Sequence, residues 1–201
     1  MARFDTPEQV NGILDAFYSR GYRTIDTARG YSPHAPGSSE PRLGAAHAGD
    51  RFTIDTKVKS FAPGTHSSAE IQKSVEDSLR DLKVSQINVM FLHSPERSTP
   101  FEETCEAKDR AFRQGKFKQF GLSNYTAAEV EQIMEICQKG NFVKPTVYQG
   151  QYNPIVRSGE ETLFPVLRKH GIVFYAWRCN CSLFIFILSF NFKHRRWGLT
   201  W

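Results

Sequence analysis

Residues 87–93 read INVMFLH, a nearly continuous apolar run that ends on a histidine. A strand with one solvated face alternates apolar and polar side chains, whereas a strand covered on both faces stays apolar along its length. The run therefore predicts an inner strand of a parallel sheet, because parallel sheets carry helices on both faces.

The segments on either side of this run alternate between helix and strand patterns. Five further strands are predicted, at residues 22–26, 52–57, 117–123, 145–149 and 173–177. Helix start signals precede them at Thr6–Gln9, Ser67–Glu70, Thr99–Glu102, Thr126–Glu129 and Ser158–Glu161, and a weaker helix is predicted over residues 38–47. This alternation predicts parallel βα units.

Two α/β architectures fit parallel βα units: a (β/α)8 barrel and an open doubly wound sheet. The dinucleotide-binding form of the open sheet carries G-x-G-x-x-G after a strand. No predicted strand in this sequence is followed by that motif. Its absence favours the barrel.

The composition indicates a globular chain rather than a nucleic-acid-binding one. The 201 residues are 40% hydrophobic and 23% charged, which suffices for one domain with a sizeable core. The formal charge of +5 arises at one end, since residues 1–161 carry 20 basic and 21 acidic groups. No helix or face of the predicted fold concentrates the basic residues, so no nucleic-acid partner is predicted.

The cysteines and the N-terminus indicate the compartment. Cys105 and Cys137 fall on predicted helices and are interpreted as ordinary thiols, whereas Cys179 and Cys181 form a C-x-C pair without a second ligand pair. No metal site is therefore predicted. The first residues, MARFDTPEQV, lack the apolar core of a secretory signal. We expect a reducing, cytoplasmic setting.

Functional groups of a parallel βα barrel lie at the carboxyl ends of its strands. The predicted strand ends carry, in order, Asp26 with Tyr31 in the following loop, Lys57, His93, Ser123 with Asn124, Gln149, and Trp177. A single polar strand end is common. A succession of them predicts one site at one rim of the barrel.

Four of these side chains suit protonation of a developing alkoxide. A phenol has an ordinary pKa near 10, and an adjacent ammonium favours the phenolate. We therefore expect Asp26 to hold Lys57, and Lys57 to lower the pKa of Tyr31. The imidazole of His93 is suited to orienting a substrate oxygen while hydride reaches the carbon.

The sequence contains no hydride donor, so a nicotinamide cofactor has to supply it. Ser123, Asn124 and Gln149 are hydrogen-bonding side chains suited to a carboxamide, and Trp177 is suited to stacking on the ring. The alternative for Ser123 and Asn124 is a plain turn before the helix that follows, since both are common turn residues.

With these residues located, the chain resembles the aldo-keto reductases, and more closely their aflatoxin-aldehyde reductase branch. The matching segments are GYRTIDTARGYSPHAPGSSEPRLG, TIDTKV, MFLHSPERSTPFEET, GKFKQFGLSNYTAAEV and PTVYQGQYNPIVRSGEETLFPVLRKHGIVFYAW. They run in order from about Phe4 to Trp177.

The resemblance implies a (β/α)8 TIM barrel that reduces aldehydes or ketones with NADPH. It implies Tyr31 as proton donor, completed by Lys57, Asp26 and His93. It also implies that Ser123, Asn124 and Gln149 hold the nicotinamide amide. Trp177 falls where the family usually stacks a tyrosine.

The chain departs from that family at both ends. The family's first strand is missing, as are the loop and later elements that hold the cofactor phosphates, so residues 1–177 predict an incomplete barrel with about six of eight strands. Residues 178–201, RCNCSLFIFILSFNFKHRRWGLTW, are interpreted as a hydrophobic and basic tail outside the fold. Such an abrupt change of composition is typical of an unspliced intron or a shifted reading frame.

Three functions remain open from the sequence. The first is an NADPH-dependent reductase of a small aldehyde or ketone. The second is a truncated, inactive fragment that keeps the four catalytic side chains but binds the dinucleotide weakly. The third is a membrane-tethered module that uses residues 183–192, although ten residues are too few to span a bilayer, which takes about 20, and no membrane partner is expected. No oligomeric state is predicted.

Overall fold

The computed structural model describes residues 4–179 of the chain. Its six strands form one parallel sheet in chain order. The strands are β1 (Thr24–Asp26), β2 (Thr53–Val58), β3 (Ile87–Leu92), β4 (Phe117–Ser123), β5 (Pro145–Gln151) and β6 (Val173–Trp177). A sheet of parallel βα units in this order is an incomplete (β/α)8 barrel, as the sequence predicts.

A helix precedes each strand. The helices are α1 (Pro7–Ser19), α2 (Ser39–Ala45), α3 (Ser68–Leu82), α4 (Phe101–Arg113), α5 (Ala127–Lys139) and α6 (Gly159–Lys169), and a short 3-10 turn at Ala48–Asp50 follows α2. The predicted helix starts are met within one or two residues.

Two of the predicted capping boxes form. The Thr6 side chain accepts the backbone N–H of Gln9, and the Gln9 side chain accepts the backbone N–H of Thr6. Thr126 and Glu129 make the same reciprocal pair at the start of α5. Each box satisfies two backbone donors that a helix N-terminus leaves unpaired.

The other three predicted capping boxes are wrong, because none of their N-terminal side chains caps its helix. Ser67 and Ser158 make no side-chain cap bond. At α3, the backbone N–H of Ser68 donates instead to Glu103 of α4 (2.8 Å). At α4 the N-cap is Pro100, and the hydroxyl of Thr99 donates to Glu96 (2.5 Å).

The core lies between the sheet and its helices, and the INVMFL strand runs through it. Five of the six residues of β3 are buried, the exception being Asn88. On the concave side, a Cβ at Gly121 would lie 2.3 Å from the ring of Phe91. Glycine is therefore required at this position of β4, because the ring of Phe91 occupies the space of a side chain.

The sheet has two free edges within the described part of the chain. β1 pairs only with β2, and β6 pairs only with β5. β1 is three residues long rather than the predicted five, and both edge strands have more exposed side chains than β2 to β5. A groove of about 460 Å³ runs beside β1 and is lined by Phe4, which precedes α1, and by residues of α1 and α2 such as Leu14 and Leu43.

Three expectations concern segments or features that the structure describes only in part. Most of the predicted tail, residues 180–201, lies outside the described residues. Within residues 4–179, no helix is long and apolar enough to cross a bilayer. The same residues contain no group of three or more His, Cys, Asp or Glu side chains placed to hold a metal ion.

Candidate active site

Lys57 and Asp26 form an ion pair at the carboxyl ends of β2 and β1. The Lys57 ammonium donates to both carboxylate oxygens of Asp26 (2.7 Å each) and to the backbone carbonyl of Thr27 (2.8 Å). The Lys57 side chain is fully buried, whereas that of Asp26 is 38% exposed. Burial lowers the pKa of Lys57, and the charge of Asp26 acts in the opposite direction.

Tyr31 and His93 complete the predicted group of four. Lys57 Nζ lies 4.8 Å from the centroid of the Tyr31 ring. The Tyr31 and His93 rings meet edge to face, with centroids 5.4 Å apart. The structure therefore brings Tyr31, Lys57, Asp26 and His93 together at the rim where the sequence predicts them.

The expected direction of the Tyr31 pKa is wrong. The pKa is raised to about 12, first by burial of the phenol and then by the negative charge of Asp26. From the residue types, the ammonium of Lys57 is expected to lower this pKa. In the structure that ammonium is engaged by Asp26 and Thr27, and it faces the tyrosine ring. The phenol is therefore a neutral acid over the whole physiological range.

His93 is neutral in the same range. Burial and the positive charge of Lys57 lower its pKa to about 4. Its backbone N–H donates to Ser60 Oγ (3.2 Å), and Ser60 Oγ lies 2.7 Å from Nε2 of the buried His66. A neutral imidazole can donate a hydrogen bond to a substrate oxygen without adding a second cation beside Lys57.

Three amide and hydroxyl side chains line the neighbouring strand ends. Ser123 and Gln149 are in register on β4 and β5, and both are buried. Asn124 donates to the Ser123 hydroxyl (3.0 Å) and to the backbone carbonyl of His93 (2.9 Å). Gln149 Nε2 donates to Asp26 (3.0 Å). These bonds join the amide cluster to the ionisable group.

The remaining acceptors of this cluster fit a carboxamide. Among the described residues, none donates a hydrogen bond to Asn124 Oδ1 or Gln149 Oε1. These two oxygens and the hydroxyl of Ser123 match the NH2 and C=O groups of a nicotinamide amide. Asn124 also has a left-handed backbone (φ 64°), which turns the chain sharply at the end of β4.

Trp177 lies at the carboxyl end of β6, opposite Gln151 of β5. Its ring faces the guanidinium of Arg178, whose carbon is 5.2 Å from the ring. The structure thus puts the indole at the predicted rim, and among residues 4–179 it shows no hydrogen bond or ring contact between the indole and the other predicted residues.

Phe61 also lies at this rim, although it is not among the site residues predicted from the sequence. It lies in the loop after β2, its side chain is 73% exposed, and its ring centroid is 4.8 Å from that of His93. The available signal is its position four residues after Lys57, in a loop that has to face the same mouth. The rim therefore carries an exposed aromatic ring beside His93.

Sequence comparison shows to which family this six-stranded parallel sheet belongs. The sequence model of the aldo/keto reductase family matches residues 2–179. The chain belongs to the aldo/keto reductase family.

Individual relatives point to one branch of that family. The chain is 39% identical over 179 residues to human aldo-keto reductase family 7 member A3, covering 87% of this chain and 53% of the relative. It is 38% identical over 180 residues to human aflatoxin B1 aldehyde reductase member 2, covering 87% of this chain and 49% of the relative. The oxidoreductase sirO of Leptosphaeria maculans is 36% identical over 176 residues, with 88% of this chain and 53% of the relative covered. The chain spans about half the length of these relatives.

Proposed function

We propose that the rim holds an NADPH-dependent carbonyl reductase site, in which Tyr31 is the proton donor to an aldehyde or ketone. The observation that carries the proposal is the contact of a fully buried, carboxylate-paired Lys57 with the ring of Tyr31, 4.8 Å away. Lysine ammonium groups are rarely fully buried, because removing the charge from water is costly.

Tyr31 acts as a general acid in this proposal. As the carbonyl oxygen gains negative charge, the phenol donates its proton to that oxygen, and the neutral His93 donates a hydrogen bond to the same oxygen. Lys57 then stabilises the phenolate that remains, since its ammonium lies against the ring. Asp26 keeps Lys57 charged despite its burial.

The nicotinamide cofactor supplies the hydride when it is bound. Ser123, Asn124 and Gln149 are proposed to hold its carboxamide, and Trp177 to stack on its ring. The structure supports this with the acceptors of Asn124 and Gln149 that no described residue uses. The preference for NADPH over NADH rests on the family.

Substrate class and location follow from the same reasoning. The names of two relatives specify reduction of an aflatoxin aldehyde. We infer that the substrate is a small aldehyde or ketone, with the ring of Phe61 beside it. The buried Cys105 and Cys137 are free thiols, which supports a reducing compartment such as the cytoplasm.

The test is turnover of 4-nitrobenzaldehyde by the purified chain at high NADPH concentration. We expect weak cofactor binding in a fluorescence titration, but turnover that Tyr31→Phe lowers by at least about 100-fold. Tyr18→Phe is the matched control, since this half-exposed tyrosine of α1 lies against Phe52, away from the rim. Absence of turnover at every NADPH concentration would identify the chain as an inactive fragment, and equal turnover by Tyr31→Phe would rule out Tyr31 as the proton donor.

A further inference from the structure

Glu40 is a fully buried carboxylate on α2 that joins three separate elements. Its Oε1 accepts hydrogen bonds from the hydroxyls of Thr56 (2.5 Å) and Ser78 (2.9 Å), and its Oε2 accepts one from Arg29 Nη1 (2.6 Å). These partners come from β2, from α3 and from the loop after β1. The carboxylate therefore has a polar partner on each element packed against it, as burial of a charge requires.

Two of these partners are close in sequence to the proposed catalytic pair. Thr56 immediately precedes Lys57, and Arg29 lies two residues before Tyr31. The backbone N–H of Arg29 also donates to the carbonyl of Lys57 (3.1 Å). Glu40 thus links the strand that carries the ammonium to the loop that carries the phenol.

Arg29 has a second anchor on α3. The same Nη1 atom lies 2.6 Å from Asp81, and Nη2 lies 3.8 Å from Asp77. The Arg29 side chain is largely buried, with 11% exposed. A planar guanidinium held by carboxylates from two helices has little freedom to move.

Besides Arg29, the loop that carries Tyr31 is tied by Arg42 Nη1, which donates to the Ser32 hydroxyl (3.1 Å), and by the backbone N–H of Gly37, which donates to the Tyr31 carbonyl (3.1 Å). The loop residues 27–38 form no helix or strand. Ser32, the residue after Tyr31, has a left-handed backbone (φ 90°), a conformation that costs a non-glycine residue free energy. Tyr31 itself is 38% exposed. Such a loop keeps its conformation only if surrounding contacts fix it.

We propose that Glu40 and Arg29 are positioning residues that fix the Tyr31 ring against Lys57. Neither side chain reaches the reacting atoms. They act through the backbone on each side of the pair. This inference rests on the proposed function in one respect only, namely that the contact of Tyr31 with Lys57 is the catalytic one.

The chain provides a matched control in Arg80. This arginine of α3 donates to the same acids, Asp77 (2.6 Å) and Asp81 (3.0 Å). It is mostly exposed and has no contact with Glu40 or with the loop of Tyr31 among the described residues. Arg29→Met and Arg80→Met therefore remove the same charge from the same acidic pair, but only the first removes the link to the loop.

The experiment measures the ionisation of Tyr31 by ¹³C NMR of tyrosine-labelled protein between pH 7 and about pH 11, and needs neither cofactor nor turnover. The Tyr31 resonance is assigned as the one missing from Tyr31→Phe. In the unaltered chain the pKa of Tyr31 is about 12, so the resonance barely titrates in this range. Asp26, Lys57 and His93 face Tyr31, and none of them is changed in the variants.

The expected result is a pKa of Tyr31 that falls toward its ordinary value of about 10 in Arg29→Met and stays unchanged in Arg80→Met. The direction of the change in the Tyr31 pKa separates loss of positioning from loss of a nearby charge. Loss of a nearby cation by itself raises the pKa of a phenol, so a fall reports release of the ring from burial and from Asp26. Arg29→Lys, which keeps a cation between Glu40 and Asp81, is expected to restore most of the original value.

Two outcomes would overturn the proposal: an unchanged or raised pKa of Tyr31 in Arg29→Met, or equal falls in both arginine variants. If circular dichroism reveals that Arg29→Met does not fold, Asp81→Asn replaces it. That variant keeps the buried Arg29–Glu40 pair and weakens the outer anchor of Arg29 together with the exposed Arg80–Asp81 pair, and a smaller fall in the Tyr31 pKa is expected. No fall there would equally end the proposal. Turnover of 4-nitrobenzaldehyde, measured separately, tests the proposed reductase function.

Discussion

Gln149 Nε2 donates a hydrogen bond to Asp26 Oδ1 over 3.0 Å, although the two residues are 123 positions apart. Their strands, β5 and β1, are not neighbours in the sheet. The bond crosses the mouth of the incomplete barrel and makes Asp26 the common acceptor of Lys57 and Gln149. Gln149, which is proposed to bind the cofactor amide, therefore also binds Asp26, the carboxylate that pairs with Lys57.

Replacing Gln149 is expected to weaken cofactor binding. Gln149→Leu removes both the donor to Asp26 and the acceptor proposed for the nicotinamide amide. A lost hydrogen bond of this kind is worth about 1 kcal/mol, so the dissociation constant of NADPH rises about fivefold to tenfold. Fluorescence titration measures it. Gln119→Leu is the control, because Gln119 lies nearer the amino end of β4, against the Thr146 hydroxyl (3.3 Å), and an equal effect there contradicts the assignment.

The pH dependence of carbonyl reduction follows from the two perturbed groups. The acid form of Tyr31 is present below its pKa of about 12, and His93 is neutral above its pKa of about 4. We therefore expect kcat/KM for reduction to be level between about pH 5 and 10. A steady fall in kcat/KM centred near pH 7 in stopped assays of 4-nitrobenzaldehyde reduction is the result that contradicts this prediction.

Replacing Asp26 and replacing Lys57 are expected to lower the free energy of unfolding by different amounts. Asp26→Asn removes the carboxylate that is hydrogen-bonded to the fully buried ammonium of Lys57 and leaves the charge of Asp55 to act on it, and we expect a loss of about 3 kcal/mol in the free energy of unfolding. Lys57→Met leaves Asp26, which is 38% exposed and is solvated by water, so its cost is smaller. Urea denaturation of the two variants gives the comparison. A larger loss in Lys57→Met than in Asp26→Asn is incompatible with this reasoning.

Lys108 provides a second test of buried charge, away from the site. It is fully buried on α4, donates to the carbonyl of Met90 (2.8 Å) and lies over the ring of Phe117 (4.3 Å). Burial holds its pKa well below the ordinary value. At a pH below the ordinary pKa of lysine, Lys108 is protonated in the unfolded chain, but in the folded chain it binds the proton less readily. The buried amine therefore lowers the free energy of unfolding by more as the pH falls.

Lys108→Met is therefore expected to stabilise the protein, and by more at pH 6 than at pH 10. Thermal denaturation at the two pH values measures the gain. Lys116→Met, at a partly exposed lysine paired with Glu76 (3.0 Å), is the control and should give little change at either pH. A destabilised Lys108→Met, or a gain independent of pH, contradicts the linkage argument.

The fold could be predicted from local pattern, because apolar runs and capping signals are properties of short segments. The central strand at residues 87–92 and the helix starts at Thr6 and Thr126 are of this kind. The loss of the cap at Ser67 could not be predicted, since the competing acceptor Glu103 is 35 positions from Ser68, whereas the Thr99 hydroxyl is taken by Glu96, only three positions away. The short β1 likewise depends on having one neighbour rather than two.

The positions of the candidate site residues could be predicted from the sequence, but the direction of the Tyr31 pKa shift could not. The rule that strand ends meet at one rim locates Asp26, Lys57 and His93, because it needs only strand boundaries. The pKa of Tyr31 depends on which way the Lys57 ammonium points, and residue types do not encode that direction. The hydrogen bond between Arg29 and Asp81 joins residues 52 positions apart, so no pattern within a short segment predicts it.

The ring of Phe91, admitted by the missing side chain at Gly121, lies 5.6 Å from Lys57 Nζ and closes the floor beneath it. Water has no approach to the ammonium from below. A phenolate formed at Tyr31 therefore has to recover its proton from solvent at the mouth, or from the open side next to Asp26. In the proposed reaction, protons thus reach Tyr31 through the mouth that admits the substrate or along the free edge of the sheet beside Asp26.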